Sequence, residues 1–369
     1  MTQTKVEAPF VENNATFRNL LINGDMSIAQ RATSTTGYTG GQSFPCCDRW
    51  KIQASSAGTW TCSQSTTVPA GQGFFNSYKI DCTTANSSLD ASDYLFLRQE
   101  IEGQNLQMLR KGTANAKKTT LSFWVRSNLT GTYIVEFDDN DNTRNINKSY
   151  TIDSADTWEK KSITFEGDTS GAFDNDNGIS GRLFFWLAGG SNWTTGTLAT
   201  SWEATNNVDR GVGQANLSSS TDNEWYVTGV QFEVGDAATD FEHLPYDINL
   251  QRCQRYYYVH TSGAESNTSH VGLFNAYSSS NIQISIFHPV QMRAAASADF
   301  VQGTNFYIAY GNGGSDSFDG FDLGSEGNKN GSALYTSSKN VSVTQASPYF
   351  VRVNGSTGAT ARVAFDAEM

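Results

Sequence analysis

The stretch TTLSFWVRS, residues 119–127, sets Leu121, Phe123 and Val125 against Ser122, Trp124 and Arg126. Apolar and polar side chains exchange places at each step, which is the period of a strand with one face on a core and the other in water. TYIVEF at 132–137 repeats the pattern, with Tyr133, Val135 and Phe137 on one side. RLFFWLAG at 182–189 is apolar on both sides and predicts a central strand covered on both faces. EWYVTGVQFEVG at 224–235 is long enough to span a sheet, and unbroken alternation assigns Tyr226, Thr228, Val230, Phe232 and Val234 to one face. Around these runs, from Arg18 onward, short apolar segments alternate with Gly, Asn, Ser and Asp clusters at the spacing of a sandwich or barrel.

Residues 1–17 show no periodicity and predict an arm that orders against a partner, with Pro9, Phe10 and Phe17 as its anchoring side chains. DINLQRCQRYYY at 247–258 predicts a short linking helix: Ile248, Cys253 and Tyr256 share a face, Asp247 caps the start, and basic residues follow. Beyond it, Ile282, Ile284 and Ile286 alternate in NIQISIFHPV, and NFYIAY, SALYTSS and YFVRVNG read as strands flanking the Gly- and Asp-rich stretch 311–331. The predicted organisation is all-β: an arm (1–17), a β-sandwich (18–246), a linking helix (247–258) and a second, smaller β-domain (259–369). That last domain carries few large apolar residues per strand. It is expected to need a neighbour's surface, with Tyr256, Tyr257 and Tyr258 forming an inter-domain and trimer junction.

The 369 residues carry 37 acidic and 25 basic side chains, a formal charge of −12, which disfavours nucleic acid and anionic lipid as partners. The five cysteines, Cys46, Cys47, Cys62, Cys82 and Cys253, lack metal spacing and are too sparse for a disulfide scaffold. Free thiols are expected, with Cys62 and Cys82 pointing inward. With no signal peptide and no long apolar run, assembly in a reducing cytoplasm without membrane insertion is the expectation.

The four histidines, His243, His260, His270 and His288, are scattered, and phosphate-cradling, dinucleotide and nucleophile-elbow motifs are absent. No catalytic residue is therefore assigned. FDDNDNTRN at 137–145 and FDNDNG at 173–178 place Asp138, Asp139 and Asp141, and Asp174 and Asp176, as candidate ligands of a structural Ca²⁺; SDSFDGFD at 315–322 is a weaker candidate. No other cofactor is expected. Stacking against a pyranose ring needs an aromatic face with amide or carboxylate neighbours. Trp193 in GGSNWTTG, with Asn192 beside it, and Trp202 just beyond are the candidate glycan contacts, whereas Trp50, Trp124, Trp186 and Trp225 lie in strand patterns and are expected in the core.

FRNLLINGDMSIAQR (17–31), DRW (48–50), LRQEIEGQNL (97–106), TLSFWVRS (120–127) and VTGVQFEVGDAATDFEHLPYDINLQRCQRYY (227–257) together resemble a domain of tail-fibre and other virion proteins of tailed phages, notably phages of marine bacteria and cyanobacteria. The resemblance runs over most of residues 17–257. It departs at Asp240 and Leu244, where the family shows Pro and Arg, and in lacking a fibrous stalk. It implies a jelly-roll sandwich similar to carbohydrate-binding modules, exposed on a virion, usually as a homotrimer. The function expected from it is a fibre subunit of tail, collar or head that binds host-surface polysaccharide and contacts other virion proteins through the arm. The alternatives are a cement or decoration protein of the capsid and, third, a polysaccharide-degrading enzyme.

Overall fold

The alternating runs are strands. The computed structural model describes residues 17–369, so Pro9 and Phe10 of the expected arm lie outside the described residues. The chain forms two units, the first ending at Tyr246 and the second comprising Asp247–Met369.

In the first unit the strands are β1 (Ser34–Tyr38), β2 (Gly41–Ser43), β3 (Lys51–Ser55), β4 (Thr59–Ser65), β5 (Ser77–Thr84), β6 (Tyr94–Glu102), β7 (Thr119–Ser127), β8 (Gly131–Asp139), β9 (Arg144–Ile152), β10 (Glu159–Phe165), β11 (Ile179–Gly189), β12 (Glu203–Ala204) and β13 (Glu224–Val234). They make two antiparallel sheets, ordered β1-β4-β5-β13-β7-β10 and β12-β9-β8-β11-β6-β3-β2. The chain passes repeatedly from one sheet to the other, giving a jelly-roll sandwich. Leu121, Phe123 and Val125 face Leu183, Phe185 and Leu187 in one core with Trp50, Trp60 and Trp225. Edge-to-face pairs join the sheets: Phe123 to Phe185 at 5.0 Å between centroids, and Phe137 to Phe232 at 4.9 Å. Strand β11 is covered on both faces as expected. Phe184 and Trp186 leave the main core and pack with Phe96 and Ile134 in a second cluster on the other side of their sheet.

Strand β13 departs from the expected phase. Trp225 and Val227 point inward, and so do Val230 and Phe232, while Tyr226 and Thr228 belong to the outer face. The cause is a bulge between Thr228 and Gln231 in the pairing with β7. Gly229 sits there with φ +61°, backbone that a side chain resists, and the ring of Phe74 rests where its Cβ would be, 2.5 Å away. One extra residue moves the apolar set to the other phase, so Val230 and Phe232 reach the core, while Val234, the last residue of the strand, is exposed.

The phrases that resemble phage virion proteins meet in space. Asn19 Nδ2 donates to Val230 O at 3.0 Å, and its Oδ1 accepts from the Phe232 N–H at 3.0 Å, so the first segment is laced to the bulged strand. Gly24 lies there too: a Cβ would come within 2.0 Å of Val230 O, which only glycine avoids. Gln99 of LRQE pairs with the Ile22 backbone through both amide atoms, at 2.7 and 2.8 Å. Asn23 Nδ2 donates to Ile28 O and Asp48 O at 2.9 Å, and the Trp50 indole donates to Asn23 O at 2.9 Å. These motifs are thus structural staples of one sandwich.

A helix spans Tyr246–Gln254, shorter than expected, because Tyr257 and Tyr258 already belong to the strand Tyr257–Ser262 of the second unit. That strand pairs with Arg362–Asp366, which pairs in turn with Ser297–Val301. A seven-stranded sheet is built around Pro348–Val353, His270–Ser278 and Asn281–Phe287. Ile282, Ile284 and Ile286 point into its core as their alternation requires. Stretch 311–331, expected as a separator, contributes the strand Gly314–Phe318. Tyr256 and Tyr257 are fully buried inside this unit, and the Tyr257 hydroxyl donates to Asp299 Oδ2 at 2.6 Å. Tyr258 is half-buried against Phe365. Tyr256 and Tyr257 are thus taken into the core of this unit, and only Tyr258 keeps part of its ring in the open. All five cysteines are free and buried.

Candidate functional site

The outer face of the β1-β4-β5-β13-β7-β10 sheet carries a hollow of about 220 Å³. Its floor is Trp124 of β7, whose cross-strand neighbours are Lys160 on β10 and Thr228 on β13. Trp124 shares the phase of Ser122 and Arg126, so alternation turns it away from the core, and it is half-buried rather than a core residue. A wall of three rings stands opposite: Phe74, Phe241 and His243, with centroids 4.9–5.2 Å apart. Asp240, Gln72 and Ser122 supply polar groups.

Each part of the wall is held by the fold. Thr228 Oγ1 donates to Asn76 O at 2.7 Å, tying the segment that carries Phe74 to the bulged strand. Glu242, between Phe241 and His243, donates its N–H to Gln231 Oε1 at 2.8 Å, and its carboxylate accepts from the N–H groups of Phe17 at 2.5 Å and Asn19 at 3.1 Å. The hollow exists because the bulge at Gly229 lets Phe74 lie directly on the sheet. An aromatic floor, an aromatic wall and exposed hydrogen-bonding groups suit the apolar face and hydroxyl edge of a sugar ring. A volume below the roughly 300–1,000 Å³ of drug-sized ligand pockets fits one ring.

The tryptophans singled out by sequence lie elsewhere and apart from each other. Trp193, on the helical turn Ser191–Thr194, packs against Tyr94 at 5.3 Å and Trp186 at 5.6 Å, with Arg210 at 5.7 Å from its ring centroid. It closes the aromatic cluster on the outer face of the other sheet. Asn192 is exposed, and its backbone N–H donates to Ala91 O. Trp202 lies edge-on to Phe137 at 5.4 Å, beneath Lys111, and its indole N–H donates to Glu166 O at 2.6 Å. Both rings are half-buried, so packing has taken part of the aromatic surface that was expected to meet sugar. Beside Trp193, charges pair among themselves: Arg210 with Glu136 at 2.8 Å, Arg182 with Asp138 at 2.7 Å, and Lys51 and Arg98 with Glu100 at 2.7 and 2.8 Å. Burial pushes the Glu136 carboxyl upward against the pull of Arg210.

The acidic loops do not assemble as a metal centre. Among the described residues no group of three or more His, Cys, Asp or Glu side chains is placed to hold an ion. Alternation along β8 sends Asp138 to Arg182 and Asp139 to Lys111, on opposite faces of the sheet. Asp141 accepts from the Asp174 N–H at 2.9 Å, and Asp176 accepts from the Gly178 N–H at 2.8 Å, so both carboxylates close turns. In the second unit Asp316 and Asp319 accept from the backbone N–H groups of Ser342 and Asn305.

No protein-family model matches the sequence, and no curated protein is similar to it in sequence. Solved structures similar in architecture include the enzymatically active domain of tailspike protein 4 of bacteriophage CBA120 (11% identity, TM-score 0.31, 60% of this chain and 22% of that one). Others are the family 11 carbohydrate-binding module of a cellulosomal cellulase of Clostridium thermocellum (14%, 0.25, 55% and 99%) and a family 61 module in complex with β-1,4-galactotriose (12%, 0.28, 59% and 99%). This chain thus spans about a fifth of the tailspike domain. Likenesses this distant carry no argument about ligand or activity.

Proposed function

We propose that the first unit is a glycan-binding module and that the chain is a fibre subunit displayed in three copies on a bacteriophage particle, acting by binding and without catalysis. The observation that carries the binding reading is the Trp124 hollow, where an aromatic floor faces an aromatic wall across polar groups. The virion reading rests on the resemblance of phrases within residues 17–257 to those of phage virion proteins. Repetition of a small site on several copies turns weak contacts into avidity, which is how a one-ring hollow serves attachment.

The test is affinity electrophoresis of the purified chain through gels containing host-surface polysaccharide. Retardation of the wild type and of Trp193→Ala, with loss of retardation in Trp124→Ala, is the expected outcome. Free migration of the wild type through every host polysaccharide would remove the reading, and incubation should release no new reducing ends.

A further inference from the structure

We infer that the Trp124 hollow is one of two adjoining subsites, and that their occupant is a neutral oligosaccharide chain at least two rings long. This rests on the glycan-binding reading above and extends it to the size and charge of the ligand.

A second hollow, of about 270 Å³, lies against the first and shares Phe74 and His243 with it. The partition between them is the part of the wall made by Phe74 and His243. On its far side the lining residues are Asp25, Ser27, Phe75, Asn76, Leu244 and Tyr246. Phe75 is 84% exposed and Tyr246 64%, large aromatic surfaces left in water although Phe74, the neighbour of Phe75, is buried on Gly229. Exposed aromatics at the rim of a polar hollow are the arrangement that a second sugar ring would cover. The polar complement is again of the hydroxyl-binding kind: Asp25 Oδ1 accepts from Ser27 Oγ at 3.0 Å, which fixes that carboxylate at the edge of the hollow.

A ligand held in both hollows must cross the exposed edge of His243, so it is a chain and not a single compact molecule. Its charge follows from the side chains along that path. Asp240 lines the first hollow and Asp25 the second, against the single ammonium of Lys160 in the first. Carboxylates accept from sugar hydroxyls and repel uronate or sialate groups, and the net charge of −12 on the whole chain acts in the same direction. Neutral hexose chains are therefore favoured over acidic ones.

The experiment is calorimetric titration of the full chain with gluco-, galacto- and manno-oligosaccharides of one, two and three residues, with galacturonate and mannuronate trisaccharides as charged counterparts. Monosaccharide affinity is read by competition. In the wild type a neutral trisaccharide should bind about tenfold more tightly than its monosaccharide, the gain from one further stacking contact. In Phe75→Ala and Tyr246→Ala that ratio should collapse towards one, with the thermal unfolding midpoint unchanged because both rings are exposed. Equal affinity for one and three residues in the wild type, an undiminished ratio in both variants, or tighter binding of a uronate than of its neutral counterpart would overturn the inference while leaving a glycan site at Trp124. Absence of binding by every sugar, charged or neutral, would overturn the glycan reading itself.

Discussion

At the scale of single residues, Trp124 and Gly229 bear most of the proposal. Trp124 contributes a half-buried ring to an outer face, so Trp124→Ala should cost far less stability than removing a core aromatic, for which about 3–5 kcal/mol is usual. Polysaccharide binding should be lost all the same, and comparing thermal unfolding with gel retardation separates the two effects. Gly229→Ala should do the opposite. Left-handed backbone at φ +61° costs a side chain about 1–2 kcal/mol, and the new methyl would enter the Phe74 ring. Chemical denaturation should show a loss above that figure, with weakened binding because the wall moves. Asn23→Ala should also destabilise without touching the hollow, since it takes away the side-chain acceptor of the buried Ile28 N–H, at about 1–3 kcal/mol for such an unmet group.

At the scale of elements, the alternating strands were legible from residue types alone. Leu121, Phe123 and Val125, Tyr133, Val135 and Phe137, and the three isoleucines of the second unit all point inward as their spacing requires. The phase of β13 was not legible, because a bulge is set by the approach of Phe74 and of the Asn19–Gly24 segment from distant parts of the sequence. The same limit explains the site. Trp124 advertised its outward direction through Ser122 and Arg126, but the wall of Phe74, Phe241 and His243 assembles only in three dimensions, whereas Trp193 and Trp202 stood in loop-like sequence and were drawn into packing. The second unit carries its own consequence of burial. His260 donates through Nε2 to Val271 O at 2.7 Å and accepts the Tyr258 hydroxyl at Nδ1, 3.0 Å away; His288 sits between Lys329 O and Ser332 Oγ. Burial lowers the pKa of both rings. The unfolded chain then binds more protons than the folded one, so stability is full above the unfolded value of about 6.5 and falls as the pH drops below it. Thermal unfolding of the second unit followed across that range should show a falling midpoint, and His288→Gln should flatten the dependence; a midpoint that rises on acidification would refute it.

For the whole molecule, the proposed homotrimer has a candidate surface in the second unit. Tyr310, Phe350 and Leu273 form a row across three paired strands on the outer face of the seven-stranded sheet, and Leu273 is 77% exposed. A face of that kind is what a neighbouring copy would cover. Light scattering should return three times the chain mass, and Leu273→Asp should return the monomer; a monomeric wild type at micromolar concentration would remove the trimer and the avidity argument with it. The central claim, that sugar is bound on the outer face of the bulged sheet, is tested most directly by a crystal structure of the chain with a bound neutral trisaccharide. The account predicts one pyranose ring stacked on Trp124 and the next beyond His243 against Phe75 or Tyr246. Sugar density beside Trp193 on the opposite sheet, with the Trp124 hollow occupied by water alone, would contradict it.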